Sequence, residues 1–168
     1  MQSIWLVVMG VSGCGKSSLG QAAAADLGLP LIEGDDFHPP ANTEKMRTGT
    51  PLTDEDRAGW LARLADELAA HPGGAVLTCS ALKRAYRERL RAAVPDLRFA
   101  FMEISREDAQ SRVEARAGAH IFPGSLVASQ FATLESPSGE AGVLTVQAIA
   151  PIGQLTADVR RWLEETAR

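Results

Sequence analysis

Gly10-Val11-Ser12-Gly13-Cys14-Gly15-Lys16-Ser17 is the stretch that decides the fold. It has the form G-x-x-x-x-G-K-[ST], in which glycines let the backbone wrap closely around phosphate oxygens. Its neighbours give the required context. Ile4 to Met9 is continuously apolar and reads as a strand buried on both faces. Lys16 to Leu27 reads as a helix closed by Gly28 at its C-terminal cap. A buried strand, a glycine-rich turn and a helix N-terminus together form an anion cradle. In that cradle Gly10, Ser12, Gly13, Cys14, Gly15, Lys16, Ser17 and Ser18 are the expected nucleotide contacts. Lys16 reaches the β- and γ-phosphates, and the Ser17 hydroxyl is the expected Mg²⁺ ligand.

Outward from the cradle, strands and helices alternate. Leu29 to Glu33 reads as a short strand ending at Gly34-Asp35-Asp36. Pro39 and Pro40 exclude helix there, and a short helical piece is expected around Thr43 to Thr48. Thr53 is a good N-cap, with Asp56 three residues on, and Trp60, Leu61, Leu64 and Leu68 form an apolar stripe. Ala75 to Cys79 reads as the third strand, and Ser80 to Ala93 as a helix. Leu97 to Ile104 reads as the fourth strand, and Arg106 to Arg116 as helical. A loop over Gly118 to Gly124 leads to a helix running through Leu134. Val143 to Ile149 is the fifth strand, and Ile152 to Thr166 a closing helix. The pattern predicts one α/β domain over residues 1–168, a mostly parallel sheet with ligands at the carboxyl ends of its strands.

The bulk numbers agree. The chain has 168 residues, 45% hydrophobic, with a formal net charge of -4. That balance argues against a nucleic-acid partner, which calls for a basic face. Two cysteines are too few for a secreted disulfide scaffold, and no run is long enough to span a membrane. The expectation is a soluble, cytoplasmic protein.

A nucleotide site alone does not distinguish a kinase from a GTPase switch. Asp56-Arg57-Ala58-Gly59 matches D-x-x-G, but it opens a helix rather than following a strand, and no N-K-x-D is present. Gly34-Asp35-Asp36-Phe37-His38-Pro39 resembles the G-D-x-x-H-P stretch of gluconate kinases. The likeness continues in order through Asn42, Lys45-Met46, Gly49, Pro51-Leu52, Asp54, Asp56-Arg57 and Trp60-Leu61. Cys79-Ser80-Ala81-Leu82-Lys83 with Tyr86-Arg87 forms a second block. Arg112, Arg116, Gly118, His120, Ser129-Gln130-Phe131 and Leu134-Glu135 form a third. The run Arg116-Ala117-Gly118-Ala119-His120 is one residue longer than the family's R-x-G-H.

The resemblance implies a three-layer P-loop kinase fold with a five-stranded parallel sheet flanked by helices, and a helical lid near residues 112–135. It also implies ATP and Mg²⁺ as cofactors, gluconate as substrate, transfer to the terminal hydroxyl, and a homodimer. A shikimate-type kinase, and a P-loop protein with no second substrate, are the competing readings.

Asp35 follows the second strand at the binding edge, where it accepts or orients the proton of the attacking hydroxyl or holds a Mg²⁺-bound water. Arg112 and Arg116, one turn apart, suit a lid that closes over ATP, with Arg116 in the catalytic set. Lys83 and Arg87, read as i and i+4 on one helix, are expected at the substrate carboxylate or a phosphate. Ser80, His38 and Lys45 are expected at the sugar acid, and the resemblance adds His120 and Gln130. Trp60 and Tyr86 fit core packing better than ligand stacking. Cys14 is read as an inert small residue. No acid follows the third strand at Thr78-Cys79-Ser80, so Ser17 stands as the sole direct protein ligand to the metal.

Overall fold

In the computed structural model, which describes residues 3–115 and 125–166, Ile4–Met9 forms the central strand β1. Leu6 to Met9 are fully buried, as a strand covered on both faces requires. β3 (Gly74–Thr78) and β4 (Arg98–Glu103) pair with β1 on either side, Val8 lying opposite both Thr78 and Ala100. β2 (Leu31–Glu33) pairs with β3, and β5 (Val143–Gln147) with β4, giving the order β2-β3-β1-β4-β5. Every pairing is parallel, so all five strands deliver their carboxyl ends to one side.

Among the described residues seven helices flank the sheet: α1 (Lys16–Leu27), α2 (Pro40–Arg47), α3 (Asp54–Ala69), α4 (Arg84–Ala93), α5 (Arg106–Ala115), α6 (Ser125–Thr133) and α7 (Ile152–Thr166). α1 packs on α7 and β3, and α3 packs on α4. α3 begins as its sequence dictates. The Thr53 hydroxyl accepts from the Asp56 amide at 3.1 Å, and the Thr53 amide donates to Asp56 at 2.9 Å. Inside that cap Trp60, Leu61, Leu64 and Leu68 are buried.

Two local expectations are corrected. Proline does not exclude helix at residue 40; α2 starts there, because the first helical position needs no amide donor and favours a fixed φ. α4 starts at Arg84 rather than Ser80, since Ala81 takes a left-handed φ of 47° that no helix contains. The segment joining α5 to α6, with Arg116 and His120, lies outside the described residues. No helix among the described residues is long and apolar enough to cross a membrane.

Candidate active site

The cradle sits at the carboxyl end of β1. Gly13 has φ 87°, and a Cβ there would lie 2.7 Å from the Ala109 carbonyl oxygen, so the loop passes α5 at a distance only glycine permits. Gly15, the N-cap of α1, has no side chain to satisfy the first-turn amides. Lys16 Nζ lies over the loop, donating to the carbonyls of Gly10 at 3.0 Å and Val11 at 3.2 Å.

Beside the cradle a cavity of about 380 Å³ is lined by Cys14, Gly15, Ser18, Met102, Arg112 and Ile152. Arg112 bridges its walls, donating to the Cys14 carbonyl at 3.0 Å and the Ala148 carbonyl at 3.1 Å. Arg112 thus borders the cavity next to the cradle. A larger groove of about 630 Å³ lies beside the amino ends of β4 and β5, at the opposite edge of the sheet. Two of its arginines are already engaged, Arg91 with Glu88 and Glu140 and Arg98 with Thr166, and the glycine-rich loop after β1 is not among its lining residues.

Glu33 is a candidate site residue absent from the sequence reading. It ends β2, accepts from the Thr78 hydroxyl at 2.6 Å and lies 3.2 Å from Ser17 Oγ. An acid for the metal was expected after the third strand, where Thr78-Cys79-Ser80 offers none, and not at the end of the second. The polar end of the apolar strand Leu31-Ile32-Glu33 was the available signal. Gly34 follows, where a Cβ would lie 2.2 Å from the Thr78 carbonyl oxygen, so the chain turns tightly against β3. That turn starts the 3-10 helix Gly34–Phe37, which carries Asp35.

Asp35 faces a second cleft, shared with Ser12, Lys16, His38, Ser80 and Gln130. Its carboxylate is 63% exposed, while the His38 side chain beside it is 3% exposed. Gln130 Oε1 accepts from the Ser12 amide at 2.6 Å, which ties α6 to the cradle. The His38 ring stacks on Trp60 with centroids 4.1 Å apart. Trp60 donates its indole N–H to the Gly34 carbonyl at 2.7 Å, so it is at once core and cleft wall. Asn42 donates to the Asp56 carbonyl, which fixes its amide orientation; its Nδ2 then points at His38 Nδ1 from 3.3 Å. His38 therefore carries its proton on Nε2, 3.8 Å from Asp35.

Burial pushes His38 down to about 4, with Arg57 acting in the same direction and Asp35 against it. At neutral pH the ring is uncharged. As pH falls from about 6.5 towards 4, the unfolded chain takes up a proton that the folded ring refuses, so stability is lost across that window. At pH 5 the loss is about 1–2 kcal/mol, a few degrees in Tm. Thermal melts at pH 7 and pH 5 are expected to show this drop in the wild type and a smaller one in His38→Gln. Equal drops would show that the ring does not titrate in this way.

Three expected substrate contacts are placed elsewhere. Arg87 is fully buried, and its guanidinium donates to the carbonyls of Ala81, Leu82 and Glu135 and to both oxygens of Glu140. Every N–H it owns is committed to the protein, so it is a structural clamp. Lys83 is the N-cap of α4, not a member of the helix, and its ammonium pairs with Asp54 at 3.0 Å. Lys45 pairs with Asp56 at 2.7 Å; that bond, with the Thr53 amide, holds the Asp56 carboxyl well below the usual range. Arg116 and His120 lie outside the described residues. Burial pushes the Cys14 thiol up and the Cys79 thiol to about 12, which leaves both protonated and inert.

Arg57 is a second candidate residue, which the sequence reading placed in the family likeness but gave no role in the site. It is 8% exposed and lines the cleft with Lys16 and Asp35. Its spacing was the signal: position 57 falls on the same helical stripe as Trp60, Leu61, Leu64 and Leu68, so it points inward.

Residues 6–137 match the family described as an AAA domain. The chain is 50% identical to the gluconokinase of Gluconobacter oxydans over 84% of this chain and 81% of that protein. It is 39% identical to the thermoresistant gluconokinase of Escherichia coli, over 90% of this chain and 88% of that one. The crystal structure of a gluconokinase from Sinorhizobium meliloti superposes with a TM-score of 0.88 at 43% identity, covering 98% of this chain and 95% of that one. At these identities and coverages, with a P-loop on β1 and an aspartate after β2, the chain belongs to the gluconokinase family of P-loop kinases.

Proposed function

We propose that this chain transfers the γ-phosphoryl group of ATP to the terminal primary hydroxyl of D-gluconate, giving 6-phospho-D-gluconate. The observation that carries the reading is the single cleft in which Lys16 of the cradle and Asp35 of the 3-10 helix meet. Phosphoryl transfer needs alignment and charge neutralisation more than covalent help. Asp35 takes the proton of the attacking hydroxyl as its oxygen bonds to phosphorus and the bond to the β–γ bridging oxygen breaks. Lys16 meets the phosphate charge, the amides opening α1 cradle the non-bridging oxygens, and Arg112 borders the nucleotide cavity. Ser80 and Gln130 offer hydrogen bonds to substrate hydroxyls, and neutral His38 closes the wall without adding charge.

The Ser17 hydroxyl and Glu33 carboxylate form an oxygen donor pair at the mouth of the cradle, which suits a hard cation. These two residues would hold Mg²⁺, which supplies neutralisation of phosphate charge. The family likeness assigns residues 112–135 to a lid, with Arg116 in the catalytic set and His120 in the substrate-binding set; both lie outside the described residues. A homodimer follows from the family likeness; the edge strand β5 and the exposed Ile149 and Ile152 leave surface for it. Two buried unpaired cysteines agree with a reducing, cytoplasmic setting.

The test is ADP release with ATP and Mg²⁺ against gluconate, other sugar acids, shikimate and no acceptor. Fast release with gluconate alone is expected. Release with shikimate instead, or equal release without acceptor, rejects the reading.

A further inference from the structure

Arg57 is an arginine more than nine-tenths buried that has no carboxylate partner among the described residues. Its only hydrogen bond there is Nη1 to the Tyr86 hydroxyl at 2.9 Å. No buried side-chain nitrogen or oxygen among the described residues lacks a partner, so the remaining Arg57 donors open onto the cleft it lines. A buried guanidinium is costly unless an anion meets it. Arg47, Arg87, Arg91, Arg160 and Arg161 each have a carboxylate from the protein; Arg57 does not.

The guanidinium is also held in place. Tyr86 accepts from Arg57 and donates onward to Asp54, which is braced in turn by Lys83 at 3.0 Å. The Tyr86 ring lies under the Arg57 guanidinium, 5.3 Å from ring centroid to carbon. Lys83 and Tyr86 thus both belong to the chain of contacts that holds the guanidinium.

We infer that Arg57 binds the carboxylate of the acceptor, with Tyr86 and Asp54 as its positioning residues. The inference rests on the reading above and deepens it. An open-chain sugar acid carries its carboxylate and its primary hydroxyl at opposite ends. Anchoring the first at Arg57 leaves the second free to reach Asp35 and the cradle, which accounts for transfer to the terminal carbon. A planar fork of donors suits a carboxylate, and it separates a sugar acid from the neutral polyol of the same length. The γ-phosphate of ATP is the other anion within the same cleft chemistry, and the kinetic split below distinguishes the two.

The experiment measures KM for gluconate and for ATP, and the relative rate on sorbitol, in wild type, Arg57→Gln and Tyr86→Phe. Wild type that releases no ADP with gluconate overturns the functional reading itself, and the inference with it. With an active wild type, Arg57→Gln is expected to raise KM for gluconate at least ~30-fold. KM for ATP stays within about threefold, and the discrimination between gluconate and sorbitol falls by the same factor as the gluconate loss. Tyr86→Phe keeps the ring and is expected to raise KM for gluconate about 3- to 10-fold with kcat nearly unchanged. It carries the test if Arg57→Gln does not fold, which a thermal melt shows. An unchanged gluconate KM in the folded variants, or a rise in KM for ATP instead, overturns the assignment.

Discussion

Asp35→Asn is expected to lower kcat by about 10²- to 10⁴-fold while KM for ATP stays within about threefold. Asparagine keeps the size and the hydrogen bonding of the side chain but cannot take a proton. Asp35 stands on the 3-10 turn after β2, its carboxylate largely exposed and 3.8 Å from the neutral His38 ring. ATP binds through the cradle on β1 and α1, which the change does not touch. Steady-state kinetics under saturating gluconate read the effect. An unchanged kcat removes Asp35 from proton transfer and leaves Asp36 as the acid on that turn.

Lys16→Ala is expected to reduce turnover by at least ~10³-fold with the fold intact. Among the described residues Lys16 makes two side-chain bonds, both to carbonyls of its own loop, so its loss removes a charge at the cradle and little packing. The melting temperature is expected to stay within a few degrees of wild type. Persistent turnover by the variant would reject the cradle as the site of transfer.

The sequence made most of the fold legible, because its signals there are local. Continuous apolar runs marked the strands, and Thr53 with Asp56 marked the start of α3. The misses came where one signal competed with another. Pro40 was read as a breaker, yet at the first helical position its missing amide costs nothing. The start of α4 slipped because the left-handed Ala81 carries no sequence mark. The site was less legible, since a cation's partner is set by tertiary contact. Arg87 and Lys83 looked like substrate ligands on one helix; one is consumed by Glu140 and backbone carbonyls, the other by Asp54. Arg57 stood in the family likeness without a role, yet its place on the buried stripe of α3 turns it into the cleft with no carboxylate partner among the described residues. Glu33 was passed over because its nearness to Ser17 depends on β2 lying beside β3.

Regiochemistry tests the central claim most directly. The protein is incubated with gluconate, Mg²⁺ and ATP labelled in its γ-phosphoryl group, and the phosphorylated carbon is identified by NMR. Label in a monoester on the terminal primary carbon of gluconate, matched one for one by ADP, is the expected result. Label appearing only as inorganic phosphate, or on another carbon, would contradict transfer from the Lys16 cradle to a hydroxyl held at Asp35.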